Sequence, residues 1–488
     1  MRLLTRRLAL CVLAFFSSRR AFPDSADSPK LRPEYEVTVS DGSRIRKLFR
    51  ENAWMKEFET SNLFRGSMVR LGPVLYASGT SQSWKGRLID FLAEHFLDGR
   101  AVRVSYFHSP KLVSPIGMTL PALSRREHEA LRLLVGVLRS GDDVRTSVLL
   151  ENGQSAEVPV TPLILRLQRF AVVETSDCLA ISRDPTVAAT LSRRCAPTPH
   201  PAAAVMDVDT HSFFSSWSAV LERLFGVGER LRLNFDWDEK HARFTPAGGE
   251  LALEKDHLLG TGPSDAAPLQ AIPADTLFFT TVFLPDPGPL SVSSVESYFR
   301  KVRTSRAARA VPISLVYLGM RSGPNGTLEA LSALLVPQPP GDDRALAQVD
   351  ALFNQNASYE VHASRACPGL IALSPSRKAL EHIADVCAGR QPSFLQMSPK
   401  LLATFRRQPL SAGAFWNAGA FFKTAVSWGW ERDRPRPEGQ ESQPGTPPSA
   451  ATLPGELVDA MHLLDRLPMY AFAGPAVGNA VVMRGAEP

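Results

Sequence analysis

Phe170 to Cys195 (FAVVETSDCLAISRDPTVAATLSRRC) recurs as Tyr359 to Cys387 (YEVHASRACPGLIALSPSRKALEHIADVC), and nothing else in the chain constrains the fold as much. Each copy runs from an aromatic residue through an extended segment, a Ser and a Cys into a short apolar strand. A turn ending in Pro follows, then a helix that closes on a second Cys. In the first copy Leu179 to Ser182 is the expected strand, Asp184 the helix cap and Pro185 the first helical residue. In the second, Leu370 to Leu373 is the expected strand, with Ser374 as cap and Pro375 as first residue. Leu380, Ile383, Ala384 and Cys387 then share one helical face.

Further matches keep the same order. Arg100 to Ser105 resembles Arg309 to Ser314, Glu129 to Leu138 has a counterpart in Arg344 to Phe353, and Ala203 to Phe214 parallels Ala412 to Phe422. A spacing of roughly two hundred residues indicates a duplicated domain rather than a solenoid of short repeats. The expected class is α+β: two tandem duplicated modules with mixed, largely antiparallel sheets and packed helices. Residues 1–22 read as a signal peptide, 30–245 as the first module, 246–271 as a Gly-, Pro- and Ala-rich linker and 272–488 as the second module. An insertion at 433–455 lacks apolar content and is expected to be disordered.

The first module is expected to hold strands at Tyr35–Val39, Ala101–Phe107, Thr146–Leu150 and Phe170–Glu174. Ser124-Arg125-Arg126-Glu127 is a capping-box pattern, and Leu131, Leu134, Val135 and Leu138 line its helix. Leu231–Trp237 and His241–Thr245 read as a hairpin. In the second module Leu277–Phe283, Val311–Leu318 and Ala412–Asn417 read as strands, and Leu328–Leu335 fits helix or strand. A hairpin is expected over Tyr470–Met483.

The chain has 488 residues and a net charge of +6, which on its face suggests a nucleic-acid partner. But Arg2, Arg6, Arg7, Arg19 and Arg20 all precede the first acid, Asp24. Without these five, the 55 basic residues nearly match the 49 acidic ones. The basicity belongs to a start with the form of a secretion signal: MRLLTRR, then an apolar run Leu8–Phe16 too short to span a bilayer. Of the five cysteines, Cys11 lies in that segment. The other four read as the disulfides Cys178–Cys195 and Cys367–Cys387, formed in an oxidising compartment. Four cysteines allow three connectivities. The local one needs only a helix lying back on its own strand, whereas the others would make each module depend on its twin.

No nucleotide loop, nucleophile elbow, H-E-x-x-H or C-x-x-C occurs. One acidic cluster competes for a role. Asp207, Asp209 and His211 alternate, and Asp236, Asp238 and His241 follow on a neighbouring strand, so facing strands could form an oxygen-rich metal site or an acid/base pair. The alternative is that these carboxylates point to water while Met206 and Val208 point inward. A second candidate is the aromatic run ending at Trp428 and Trp430, which would bind a partner, glycan or membrane surface, or else be core.

The duplicated layout, with its apolar strand, its Ser- or Asp-Pro-capped helix and its strand leading into an aromatic helix, resembles secreted bacterial proteins of domain-of-unknown-function families. That resemblance brings no catalytic residues. The expected function is therefore an exported, periplasmic or secreted, non-catalytic binding or scaffold protein. Its partner would be an envelope protein or cell-wall component, with no nucleic acid, no cofactor and no transmembrane span. A hydrolase or metal enzyme using the acidic cluster is the alternative, and a glycan or membrane-surface binder a further one.

Overall fold

The computed structural model describes residues 31–44, 53, 57, 99–107, 112, 116–149, 155–165, 168–194, 200–209, 227–253, 267–285, 310–322, 328–337, 362–365, 367–397, 399–406, 410–421, 423–424, 461–477 and 480–486. The first part of the chain contributes β1 (Pro33–Val39), β2 (Val102–Phe107), β3 (Ile116–Pro121), α1 (Arg125–Leu138), β4 (Val144–Leu149), β5 (Ser155–Leu165), β6 (Gln168–Glu174), β7 (Cys178–Ser182), α2 (Pro185–Ser192), β8 (Ala204–Asp209), β9 (Val227–Asp238) and β10 (Arg243–Leu253). The second contributes α3 (Ala267–Ala271), β11 (Phe278–Pro285), β12 (Ala310–Ser322), β13 (Leu328–Pro337), β14 (His362–Ser364), β15 (Leu370–Ser374), α4 (Arg377–Cys387), α5 (Pro399–Arg406), β16 (Ala412–Asn417), β17 (Met469–Gly474), β18 (Ala476–Val477) and β19 (Ala480–Ala486).

Among the described residues 19 strands join one sheet, and every pairing is antiparallel. This overturns the expected α+β class with packed helices: the molecule is dominated by a single antiparallel sheet. The difference lies in strands whose residues argue against strand formation. Pro159 and Pro162 interrupt β5, which pairs with β4 through Val160 and then switches to β6 from Thr161. Pro246, Gly248 and Gly249 gave the appearance of a linker, yet β10 runs through them to Leu253 and absorbs Pro246 at a register shift. The later part of β10 and all of α3 therefore fall inside the stretch read as linker.

Pairing partners give the strand order. From β10 outward, the first arm runs β9, β8, β1, β2, β3, β7, β6 and then the β5–β4 hairpin. From β19 outward, the second runs β17, β16, β11, β12, β13, β15, β14, with β18 a short return on β19. The arms meet where β10 pairs with β19. There a Cβ on Gly248 would lie 2.8 Å from the Met483 carbonyl oxygen, so a larger residue would push the strands apart.

Hydrogen bonds at the helix entrances correspond as well. Ser182 Oγ donates to the Ile116 carbonyl and Ser374 Oγ to the Ser332 carbonyl, both at 2.6 Å. The same hydroxyls accept from Asp184 N at 3.1 Å and Ser376 N at 2.9 Å. The cap of α4 is thus Ser376, not Ser374, and its first residue is Arg377 rather than Pro375. In α2 the carboxylate of Asp184 accepts from Thr186 N and Val187 N, and Pro185 begins the helix as expected. The capping box of α1 also forms, between Ser124 and Glu127.

One sheet face carries a core shared by both arms, including Tyr35, Leu233 and Phe235 from the first and Phe278, Tyr317 and Phe472 from the second. On the same face α1 packs through Leu131 onto Leu120 and Leu179. On the opposite face α2 covers the first arm, where Gly117 admits it: a Cβ there would lie 2.3 Å from Leu191 and 2.8 Å from Val187. α3, α4 and α5 cover that face of the second arm.

Candidate functional site

The second cysteine pair is bonded. Cys367 precedes β15, Cys387 ends α4, and their Cα atoms lie 5.2 Å apart, within the span a disulfide tolerates. Cys178 is buried and disulfide-bonded, and Cys195 lies outside the described residues. The two cysteines that precede the helices do not correspond in register. Cys178 stands opposite Pro121, a place held in the second arm by Leu370, opposite Pro337. Cys367 lies earlier, in the turn before its strand.

Beside the Cys367–Cys387 bridge is a cleft of about 430 Å³, lined by Gln270, Pro368, Arg390, Gln391, Ser393 and Gln396 among others. Its one guanidinium is spoken for, since Arg390 donates to Asp385 at 2.9 Å and 2.5 Å. One turn earlier on α4, His382 meets Asp275 at 3.0 Å. The hydrogen bond and charge of Asp275 raise His382 above the ordinary imidazole range against its burial. Burial pushes Asp275 upward, but His382 outweighs it and holds the carboxyl low.

The acidic residues singled out in the first arm are not brought together. Strand register sets Asp207 against Arg232 and Asp209 against Arg230. Asp207 accepts from Arg230 Nε at 2.8 Å and Arg232 Nε at 2.9 Å, so its charge is already compensated. Asp236 stands exposed opposite Thr245 in β10. Asp238 takes the His241 ring at 2.6 Å, and that hydrogen bond lowers its pKa. Among the described residues no three His, Cys, Asp or Glu side chains are placed to hold a metal. His211, Trp428 and Trp430 lie outside the described residues.

Asp207 belongs instead to a cross-strand row: Ser105 of β2, Glu36 of β1, Asp207 of β8 and Arg232 of β9 are consecutive register partners. Ser105 and Glu36 are buried, and Ser105 Oγ donates to Glu36 Oε1 at 2.8 Å. Arg194, just past α2, brings Nη1 to 3.9 Å from the same oxygen, and its carbonyl accepts from Arg103 at 3.0 Å. In the second arm the corresponding row is Val316, Phe279, Phe415 and Ala471, all buried and apolar. Phe394 and Phe405 cap that row, packing on Phe279 at ring distances of 4.8 Å and 5.8 Å. Both come from the stretch between Cys387 and Ala412. Its counterpart, between Ser192 and Ala204, is too short for such a cap.

A row of buried and half-buried polar and charged residues at positions where the same sheet takes phenylalanine is the most distinctive polar feature of the described residues. Sequence reasoning reached Asp207 but missed Glu36, Arg194 and the arginines. The signal was present in Arg230-x-Arg232 and Glu34-x-Glu36, where charge alternates with apolar residues at strand period. No family model, curated protein or solved structure matches the chain.

Proposed function

We propose that the chain is exported to the periplasm or beyond and acts there by binding an envelope protein or cell-wall component, not by catalysis. We also read its two arms as copies of one ancestral module. The matching strand orders and the recurring Ser182 and Ser374 hydrogen bonds support duplication. The Cys367–Cys387 bridge supports an oxidising compartment, because cytosolic thiols are kept reduced.

The observation that carries the binding reading is the exchange of Val316, Phe279 and Phe415 for Ser105, Glu36 and Asp207 at corresponding places. Desolvating charge costs more than burying a ring that fits, so a sheet that accepts phenylalanine here does not need these charges for folding. The first arm is read as the binding arm and the second as its sealed counterpart.

Two measurements test this. Fusing residues 1–30 to a reporter active only outside the cytoplasm should give activity; a silent fusion that accumulates in the cytosol counts against export. Affinity capture from solubilised native envelope should retain the same component with wild type but not with Glu36→Phe. Equal recovery by both would remove the row from the binding surface.

A further inference from the structure

Both cysteines of the Cys367–Cys387 bridge line the cleft of about 430 Å³, and they differ in access. Cys367 is 4% exposed and sits in a core cluster with Leu380 and Ile383, whereas Cys387 is half-buried and only packs against that cluster. The cleft wall is held by hydrogen bonds of its own. Past Cys387, Ala388 N donates to the Ala384 carbonyl at 2.9 Å, and Gly389, at φ +73°, turns the chain so that Arg390 N reaches the Asp385 carbonyl at 2.8 Å. Further on, Ala274 N donates to the Pro392 carbonyl at 3.0 Å and Phe394 N to the Ile272 carbonyl at 2.7 Å. Opening the bridge therefore leaves the cleft in place.

We infer that this cleft takes a cysteine-containing peptide, whose thiolate exchanges with the bridge by attacking Cys387. The site lies in the second arm, apart from the charged row of the first. Exchange depends on which sulfur an attacking thiolate can reach, and Cys387 is the accessible one. The incoming thiolate forms a bond to Cys387 Sγ, the bond between the two Sγ atoms breaks, and its electron pair leaves on Cys367, which takes a proton from water. The freed Cys367 thiol has an acceptor ready in the Ile383 carbonyl, 3.9 Å from its sulfur. A second thiolate attacking the peptide's sulfur releases Cys387, so two thiols are oxidised to a disulfide as the bridge is reduced.

The lining suits a peptide. Small-molecule sites run to about 300–1,000 Å³, and this cleft falls in that range. Its polar side chains are mostly neutral. Gln391 makes no side-chain hydrogen bond among the described residues, and Gln396 uses only its Oε1, which accepts from Ser393 N at 3.1 Å. Side-chain amides carry donors and acceptors together, as a peptide unit does. An anionic ligand finds the Arg390 guanidinium already on Asp385, and a metal finds no thiolate while the bridge is closed.

The test keeps the full chain native and uses reduced glutathione, a cysteine-containing tripeptide, beside 2-mercaptoethanol, a thiol with no peptide. Acid quenching, alkylation and peptide mapping should place the mixed disulfide on Cys387 and the alkylated thiol on Cys367, at a rate that saturates with glutathione. Gln391→Leu with Gln396→Leu should slow exchange with dilute glutathione by about tenfold through the lost hydrogen bonds and leave the 2-mercaptoethanol rate unchanged. If that double variant does not fold, single cysteine variants serve. Oxidised glutathione should modify Cys387 in Cys367→Ala and leave Cys367 unmodified in native Cys387→Ala. Attachment to Cys367, exchange only after denaturant unfolds the chain, or a glutathione rate that neither saturates nor responds to the glutamine changes would overturn the inference.

Discussion

Glu36 on β1 and Phe279 on β11 hold the same place in their two strand orders. Glu36 lies between Ser105 and Asp207, and Phe279 between Val316 and Phe415. One position thus carries a carboxylate roofed by an arginine and the other a ring roofed by rings. The difference sets what each arm contributes, and the stabilities of the two arms follow from it.

The second arm depends on its aromatic cap. Phe405 is 2% exposed and touches Phe279 and Phe394 with ring centroids 5.8 Å and 5.6 Å away. Phe405→Ala is expected to cost about 3–5 kcal/mol, the range for deleting a buried ring. Chemical denaturation checks this. A loss under about 1 kcal/mol would mean that α5 rests loosely on the sheet.

The two helix caps should behave differently. Asp184 is buried and accepts from two backbone amides, so Asp184→Ala should cost about 1–2 kcal/mol. Ser376 makes no side-chain cap hydrogen bond and its hydroxyl is buried without a partner. Ser376→Ala should therefore be neutral or slightly stabilising. Equal losses at both sites in thermal melts would contradict the capping geometry.

The Cys367–Cys387 bridge closes a loop with a sequence separation of 20. In the chain-entropy account such a bridge contributes about 3 kcal/mol. Cys367→Ala with Cys387→Ala should lower the unfolding midpoint to match, and a reductant should lower wild type by more than the double variant, in which the bond at Cys178 remains. A wild-type midpoint indifferent to reductant would refute the contribution.

His382 and Asp275 predict a pH dependence. The folded-state pKa of His382 lies above its ordinary 6.5, so its contribution is complete below that pH and is lost as pH rises through the raised value. Asp275 is lowered from 3.8, so its share is present above that pH and is lost as acid approaches the lowered value. The pair therefore supports the contact of α4 with the segment after α3 between these limits. Melting temperature should fall from pH 6 toward pH 8 in wild type relative to His382→Gln; parallel curves would show that the pair does not contribute.

Local signals were legible in the sequence wherever a short-range rule determined the outcome. Asp184-Pro185 opened a helix, Ser124 and Glu127 formed their box, and Ala412 to Asn417 formed a strand. The dominance of the sheet was not legible, because it depends on pairing between distant segments. Pro246 and the glycines after it read as linker in isolation, and only β9 and β19 on either side make them a strand. The four acids misled for a similar reason. Alternation showed that Asp207 and Asp209 share a face, but only register shows that Arg232 and Arg230 stand opposite them.

The pairing of β10 with β19 has a consequence for how such a chain is made. Gly248 meets Arg484, so the middle of the sheet closes only after β19, far downstream of β10, has left the ribosome. Until then β10 is an open edge, a template for the wrong strand of a neighbouring chain. Closing so long a loop is also slow, because its entropy must be spent before any contact repays it. A chain that must not finish folding before it crosses a membrane would gain from that delay. Its outer strands can pair early, while the closure that locks the halves together waits for β19.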